Sequence, residues 1–498
     1  MSLIQYIFRS VALTLLLAAS GCSTDAPPIS AQACFAASGQ DFSEVLNCYR
    51  QEQSGQALEY SAKGTQQLGG VEQRRFTLHS QVWSPQDMVR PGRWQHAVDI
   101  YIPEDAISGK ALLIVNNGVN TPGPDGKTYP PADLSEEKIL EIVRRTRTIA
   151  ISVSDVPNQF LTFNDDNLAR REDSIVARSW ALFLQDPEKH AFTPLHISMM
   201  EVLVKTMDLA EKELQAWQIH QFIAAGASKR AWAVWLAAIA DPRISSVVSV
   251  VMDFMNMEKL FDHTYQAYGK SWPSALADYH REGITAAIRS ENFDKLAKIN
   301  DPLRYLNSAY AHRLWIPKYI VNAGNDEFFL PDNTGFYTDQ LPGAKSLRVV
   351  PNAGHGGING VLDAALIGAI NRWQAGNALP AIHSELQQQA GSSLLSMRFS
   401  ETPVKLTQWT AINPQARDFR FPCGIRYEAK EISLPGSSSL QLPLSMPAQG
   451  WSASFVEATF ADGFVATTQA YVLPNHYPQS PPPQTSPGCK NILEQPSH

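Results

Sequence analysis

The sequence has no long run of basic residues, and its formal net charge is −7. That balance argues against a nucleic-acid partner, because binding the phosphate backbone requires a basic face. Its 5 cysteines include no C-x-x-C pair, so no metal site is expected, and no cofactor is expected either. No internal repeat recurs at the period of a propeller blade. The apolar run near the start, residues 11–19, is too short to span a bilayer as a mature helix. What the chain has is length. Its 498 residues exceed one compact core and point to two domains. It also has 11 tryptophans, a content that suits large-core packing more often than pockets for sugars or peptides.

Arg9 precedes the N-terminal apolar run, which ends in Ala19-Ser20-Gly21-Cys22. Residues 1–21 therefore read as a signal peptide. Small residues followed by cysteine resemble a bacterial lipoprotein box. That resemblance implies cleavage before Cys22, lipid on its sulfur and membrane attachment through that lipid. Ser23, in place of Asp, then suggests an outer-membrane lipoprotein. Ordinary export, with cleavage near Ala19 and a soluble periplasmic or secreted product, is the alternative. Setting Cys22 aside leaves Cys34, Cys48, Cys423 and Cys489, which allow three pairings. Cys34–Cys48 with Cys423–Cys489 is favoured because each bond closes a loop within one region, and an exported location permits both.

Residues 22–70 read as a tether and a small disulfide-stapled element. Over 71–379, eight stretches have the pattern of strands. They are Phe76 to Trp83, His96 to Pro103, Ala111 to Val115, Thr148 to Val153, Phe222 to Ala225, Val247 to Met252, Tyr319 to Ala323 and Leu347 to Val350. Helical patterns at about 173–184, 198–217 and 361–373 lie among them. Strands alternating with helices imply a doubly wound, mostly parallel sheet. An aromatic-rich insertion at about 254–316 interrupts the rhythm and reads as a lid. Past Leu379 the helical periodicity fades. Short alternating runs at 394–399, 404–410, 432–434, 453–460 and 464–472 predict a β-sandwich of immunoglobulin-like size over 380–475. Residues 476–498 form a proline-rich tail expected to run extended along the surface.

The chemistry concentrates at Gly226-Ala227-Ser228-Lys229-Arg230, between a buried strand and an amphipathic helix. A serine on such a strand-to-helix turn matches the nucleophile elbow of α/β hydrolases, G-x-S-x-G, except that Arg230 occupies the last position. The N–H of Lys229 would face a developing oxyanion. Gly118 or Val119, in the glycine-bearing loop after the third strand, would supply the second donor, although that loop also reads as a plain turn. Serine needs a base within hydrogen-bond reach. His355 follows the eighth strand and Asp326 the seventh, so Ser228, Asp326 and His355 run in the α/β-hydrolase order. His355 would take the serine's proton, and Asp326 would hold the imidazole. Asp253, Glu327 and Asp332 compete for the acid role. Arg230, Asp253, His263, Tyr265, Trp272 and Glu327 are the candidate substrate contacts.

Several segments resemble the PhoPQ-activated pathogenicity-related protein family. They are Gly226-Ala227-Ser228-Lys229-Arg230, Ala240-Asp241-Pro242-Arg243, Asn322-Ala323-Gly324-Asn325-Asp326-Glu327-Phe328-Phe329, Pro351-Asn352-Ala353-Gly354-His355-Gly356, Ser154-Asp155-Val156-Pro157-Asn158-Gln159, Arg417-Asp418-Phe419-Arg420 and Gly450-Trp451. Members usually carry Gly after the Lys-Arg pair, where this chain has Ala231. The resemblance implies an α/β-hydrolase fold and hydrolysis, and leaves the substrate open. The expectation is an envelope serine hydrolase that cleaves an ester or peptide bond of a small-molecule, lipid or peptide substrate through a Ser228 acyl-enzyme. The alternative is a catalytically silent binding or signalling protein on the same fold.

Overall fold

The apolar runs form the centre of a nine-stranded sheet in the computed structural model, which describes residues 29–493 except 120, 121, 125, 158, 159, 390 and 391. Cys22 and the leader before it lie outside the described residues. The strands are β1 (Glu59–Gln67), β2 (Val71–Val82), β3 (Arg93–Pro103), β4 (Ile107–Val115), β5 (Thr148–Val153), β6 (Gln221–Ala227), β7 (Ile244–Val250), β8 (Lys318–Ala323) and β9 (Lys345–Val350). Their order is β1-β2-β3-β5-β4-β6-β7-β8-β9. Pairing is antiparallel from β1 through β3 to β5 and parallel from β5 across to β9.

Side chains alternate between the two faces of this sheet, because the strand period is two. Ala111, Leu113, Val115, Phe222 and Ala224 share one core with the helices Asp173–Gln185, Leu195–Glu213 and Lys229–Ala240. Leu112, Ile114, Ile223, Ala225 and Val248 share the other with the helices Glu136–Thr146 and Leu362–Gln374. Cover on both faces is why these strands lack the polar alternation of a half-exposed sheet.

Two elements near the N-terminus depart from expectation. β1 falls inside the segment read as a tether. Its sequence, EYSAKGTQQ, is almost wholly exposed, so an edge strand of this kind leaves no apolar signature. The stapled element also belongs to the core. The helices Ala31–Ala37 and Val45–Ser54 are joined by Cys34–Cys48, and with the turn between them they place Phe35, Phe42, Leu46 and Tyr49 in the first core.

Beyond the Leu362–Gln374 helix the chain forms two antiparallel sheets. One contains β10 (Ile382–Gln389), β11 (Ser392–Phe399) and β14 (Ser439–Leu444). The other contains β12 (Lys405–Asn413), β13 (Tyr427–Ile432), β15 (Trp451–Thr459), β16 (Val465–Thr467) and β17 (Tyr471–Leu473). Leu395 and Met397 of the first sheet meet Leu406, Val456 and Ala458 of the second in one core, which makes a β-sandwich. The run expected at 464–472 is two strands, because residues 468–470 leave the ladder. This core is continuous with that of the nine-stranded sheet: Tyr319 of β8 donates its hydroxyl to Val465 O at 2.6 Å, and its ring lies 4.9 Å from that of Phe464.

The tail does more than run along the surface. Cys489 is bonded to Cys423, and residues Asn491–Leu493 pair antiparallel with Ser271–Pro273 in the insertion at about 254–316. Among the described residues, no helix is long and apolar enough to cross a membrane.

Candidate active site

β6 is buried from Phe222 to Ala227 and ends in a turn that only small residues permit. A Cβ on Gly226 would stand 2.9 Å from the backbone carbon of Arg230, so the following helix can approach only because Gly226 has none. Ser228 takes φ 56° and ψ −128°, a sparsely populated conformation that costs about 1–3 kcal/mol. Its N–H donates to Val250 O at 2.8 Å, which ties the turn to β7.

The loops after β8 and β9 bring the acid and the imidazole to this turn. Asp326 Oδ1 accepts the N–H groups of Phe328 at 2.7 Å and Phe329 at 3.3 Å, which fixes the carboxylate. His355 Nδ1 lies 2.8 Å from Asp326 Oδ2 and 3.0 Å from Oδ1, and its Nε2 lies 2.9 Å from Ser228 Oγ. With Nδ1–H donated to the carboxylate, Nε2 is the lone pair that faces the hydroxyl. Burial lowers the His355 pKa, but the Asp326 charge and hydrogen bond outweigh it and hold the group above its ordinary 6.5. The structure thus brings together Ser228, Asp326 and His355.

The helix Lys229–Ala240 begins at the residue after the serine, so the Lys229 N–H stands at a helix N-terminus. Val119 does not fit the role of second donor. Its N–H is already donated to Tyr129 O at 2.7 Å in a small β-bridge. Gly118 is the remaining candidate. It has φ +124°, and a Cβ there would stand 3.0 Å from Asp155 Oδ1.

The candidate substrate contacts are placed otherwise. Arg230 is buried and pairs with Glu172 at 2.7 Å and Asp133 at 3.3 Å, while the Lys229 ammonium pairs with Glu172 at 2.9 Å and Asp173 at 3.1 Å. Burial alone would raise the Glu172 pKa, but these two cations lower it to about 2. Both basic side chains therefore tie the elbow to the segment that enters the helix Asp173–Gln185, and their charges are matched within the chain. Asp253 is buried and accepts the Tyr337 hydroxyl at 2.7 Å, and its carboxyl is pushed well above the carboxylate range, chiefly by burial. It touches neither the serine nor the imidazole. His263 is held between Tyr477 Oη at 2.9 Å and Asp332 Oδ1 at 3.1 Å, which also removes Asp332 as the acid. Glu327 accepts the backbone N–H of His355 at 2.6 Å, so it positions the histidine loop. Tyr265 and Trp272 pack on one another at 5.0 Å and face a separate surface cleft with His280 and Arg289. Position near a strand end indicated proximity to the site. It could not indicate which way each side chain turns.

One contribution was not visible in the sequence. The sandwich grips both loops that carry the acid and the base. Asn325 Nδ2 donates to Phe419 O at 2.5 Å, and Phe421 N–H donates to Asn325 O at 2.9 Å. Asn352 and Tyr427 exchange two hydrogen bonds, at 3.0 and 2.7 Å, and the Tyr427 hydroxyl reaches Gly324 O at 3.2 Å. Arg417, 1% exposed, pairs with Asp332 on the acid loop. Burial would raise Asp332, but Arg417 and then His263 outweigh it and hold its carboxyl far below the usual range. Arg417→Met should therefore lower the free energy of unfolding by about 3 kcal/mol. That is the low end of the range for breaking a buried pair, because His263 still faces the orphaned carboxylate. A urea midpoint shifted by less than the equivalent of about 1 kcal/mol would contradict the grip.

A family model described as PhoPQ-activated pathogenicity-related protein matches residues 46–420. Autocrine proliferation repressor protein A of Dictyostelium discoideum is 29% identical over 418 residues, which cover 78% of this chain and 82% of that protein. Among solved structures, an acetyl xylan esterase from Paenibacillus sp. R4 is similar with a TM-score of 0.44 and 14% identity, over 66% of this chain and 94% of its own. A glucuronoyl esterase from Solibacter usitatus is similar with a TM-score of 0.36 and 11% identity, over 63% of this chain and 86% of its own.

Proposed function

The chain belongs to the PhoPQ-activated pathogenicity-related protein family, and from that premise and the geometry above we propose that it is a serine hydrolase cleaving an ester or amide bond through an acyl-enzyme on Ser228. The observation that carries this reading is the imidazole of His355, within hydrogen-bond distance of Ser228 Oγ on one nitrogen and of Asp326 on the other.

In the first half-reaction His355 Nε2 takes the Ser228 proton as Oγ attacks the carbonyl carbon. The N–H groups of Lys229 and Gly118 receive the oxygen as it becomes an oxyanion. Asp326 stabilises the imidazolium without taking its proton. The imidazolium then protonates the leaving alcohol or amine, and the carbon–heteroatom bond breaks. Water repeats the sequence on the acyl-enzyme, and the acid departs. Strain at Ser228 keeps the hydroxyl raised off the sheet toward the base.

A small methylphosphonofluoridate reacts with activated serines and tests this directly. Folded protein should gain one adduct, mapped to the peptide carrying Ser228, and protein unfolded in urea should gain none. An adduct elsewhere, or none on the folded chain, removes the nucleophile.

A further inference from the structure

Beside Ser228 lies a small, partly enclosed cavity of about 40 Å³. Trp180, Trp232, Phe254, Leu276, Tyr279 and Phe329 are among the residues that form its wall. That is well under the roughly 150 Å³ of an engineered cavity that takes up benzene, so the space suits a short group only. Its walls do not yield independently. The Phe254 ring lies 4.7 Å from Phe261 and 5.7 Å from both Trp232 and Phe329. Trp180 lies 5.5 Å from both Trp232 and Tyr279. A longer group would have to displace several interlocked rings together.

The charges in the lining are already matched. Lys229 Nζ lies 3.1 Å from Asp173 and 2.9 Å from Glu172, and Asp173 also accepts the Tyr279 hydroxyl at 3.1 Å. A charged guest would enter with no partner left for it, and burying an unpaired charge is costly. On the other side the site is open, since Ser228 and His355 are both partly exposed. Size is limited on one side of the serine only.

Resting on the serine-hydrolase reading, we propose that this cavity is the acyl site and that the substrates are esters of short uncharged acids, acetic acid first among them. Ser228 Oγ bonds the carbonyl carbon, the bond from that carbon to the alcohol oxygen breaks, and the alcohol leaves toward solvent with the proton carried by His355. Water then cleaves the acetyl–serine bond, and the net change is ester plus water to acid plus alcohol.

The experiment compares p-nitrophenyl acetate, butyrate and octanoate on the full chain. kcat/KM should fall at least about tenfold from acetate to butyrate and again from butyrate to octanoate. Leu276→Ala and Phe254→Leu, each checked for an unchanged circular dichroism spectrum, should raise the butyrate-to-acetate ratio by about tenfold. A wild-type optimum at octanoate, a flat profile, or a folded variant with an unmoved ratio overturns the proposal. The methylphosphonofluoridate adduct is read in the same samples. An adduct on Ser228 with a flat profile defeats the acyl site and leaves the hydrolase standing. No adduct and no turnover defeat both.

Discussion

Ser228→Ala should lower kcat toward p-nitrophenyl acetate by about 10⁶-fold while leaving the protein folded. Loss of the nucleophile alone from a serine triad removes nearly all the chemistry, because histidine and aspartate then have no oxygen to activate. The fold should tolerate the change for a local reason. The Ser228 side chain makes no cap hydrogen bond to the helix Lys229–Ala240, so the hydroxyl contributes chiefly its bond to His355. Such a bond is worth about 1 kcal/mol net. The backbone at φ 56° and ψ −128° is set by the N–H bond to Val250 and by the close approach at Gly226, and both remain in the alanine variant. A variant that is folded and retains more than about 1% of wild-type kcat would show that the turnover belongs to another group.

Asp326→Asn should cost about 10⁴-fold in kcat and should also move the pH profile. An asparagine can present its amide N–H to His355 Nδ1, which favours the tautomer with its proton on Nε2 and turns the base away from the serine. The pH shift has a definite sign. The base must be neutral, so kcat/KM falls as pH drops through the His355 pKa. In the native protein burial and the Asp326 charge oppose each other, and the charge, with its hydrogen bond, holds that pKa above 6.5. The acid limb should therefore have its midpoint above 6.5. In the asparagine variant, burial and the nearby Lys229 ammonium remain while the main opposing charge is gone, so the limb should move below 6.5. A limb that stays in place would mean that another carboxylate supports the imidazole.

The parallel part of the sheet was legible because β4 to β8 are buried on both faces and mostly apolar. The order of Ser228, Asp326 and His355 was legible because each follows a strand whose place in such a sheet is fixed by topology. The cysteine pairing agrees with the loop argument, with both bonds formed within one region. Other features depend on contacts between residues distant in the chain. Asn325 meets Phe419 across a separation of 94 residues, and Asn352 meets Tyr427 across 75, so no local pattern carries them. The segment Arg417 to Arg420 stood out only as a motif. Its role is to hold the acid loop, which makes the sandwich part of the site's frame. The strands β1 and β10 were missed because they carry few apolar residues at edges open to solvent, and β14, SLQLPL, because it is short and holds Pro443. Arg230, His263 and Glu327 were singled out as candidate substrate contacts, and the structure turns them to other partners. Their partners are other charged or polar groups of the chain itself, which a sequence does not display.

The account stands on a covalent intermediate at one hydroxyl. Its most direct test is to mix the protein with p-nitrophenyl acetate, quench in acid, where a protonated His355 cannot promote deacylation, and map the adduct by peptide mass. The account predicts one acetyl group on the peptide carrying Ser228, absent from Ser228→Ala. Turnover with no acetyl-serine, or with the acetyl group on another residue, would contradict it.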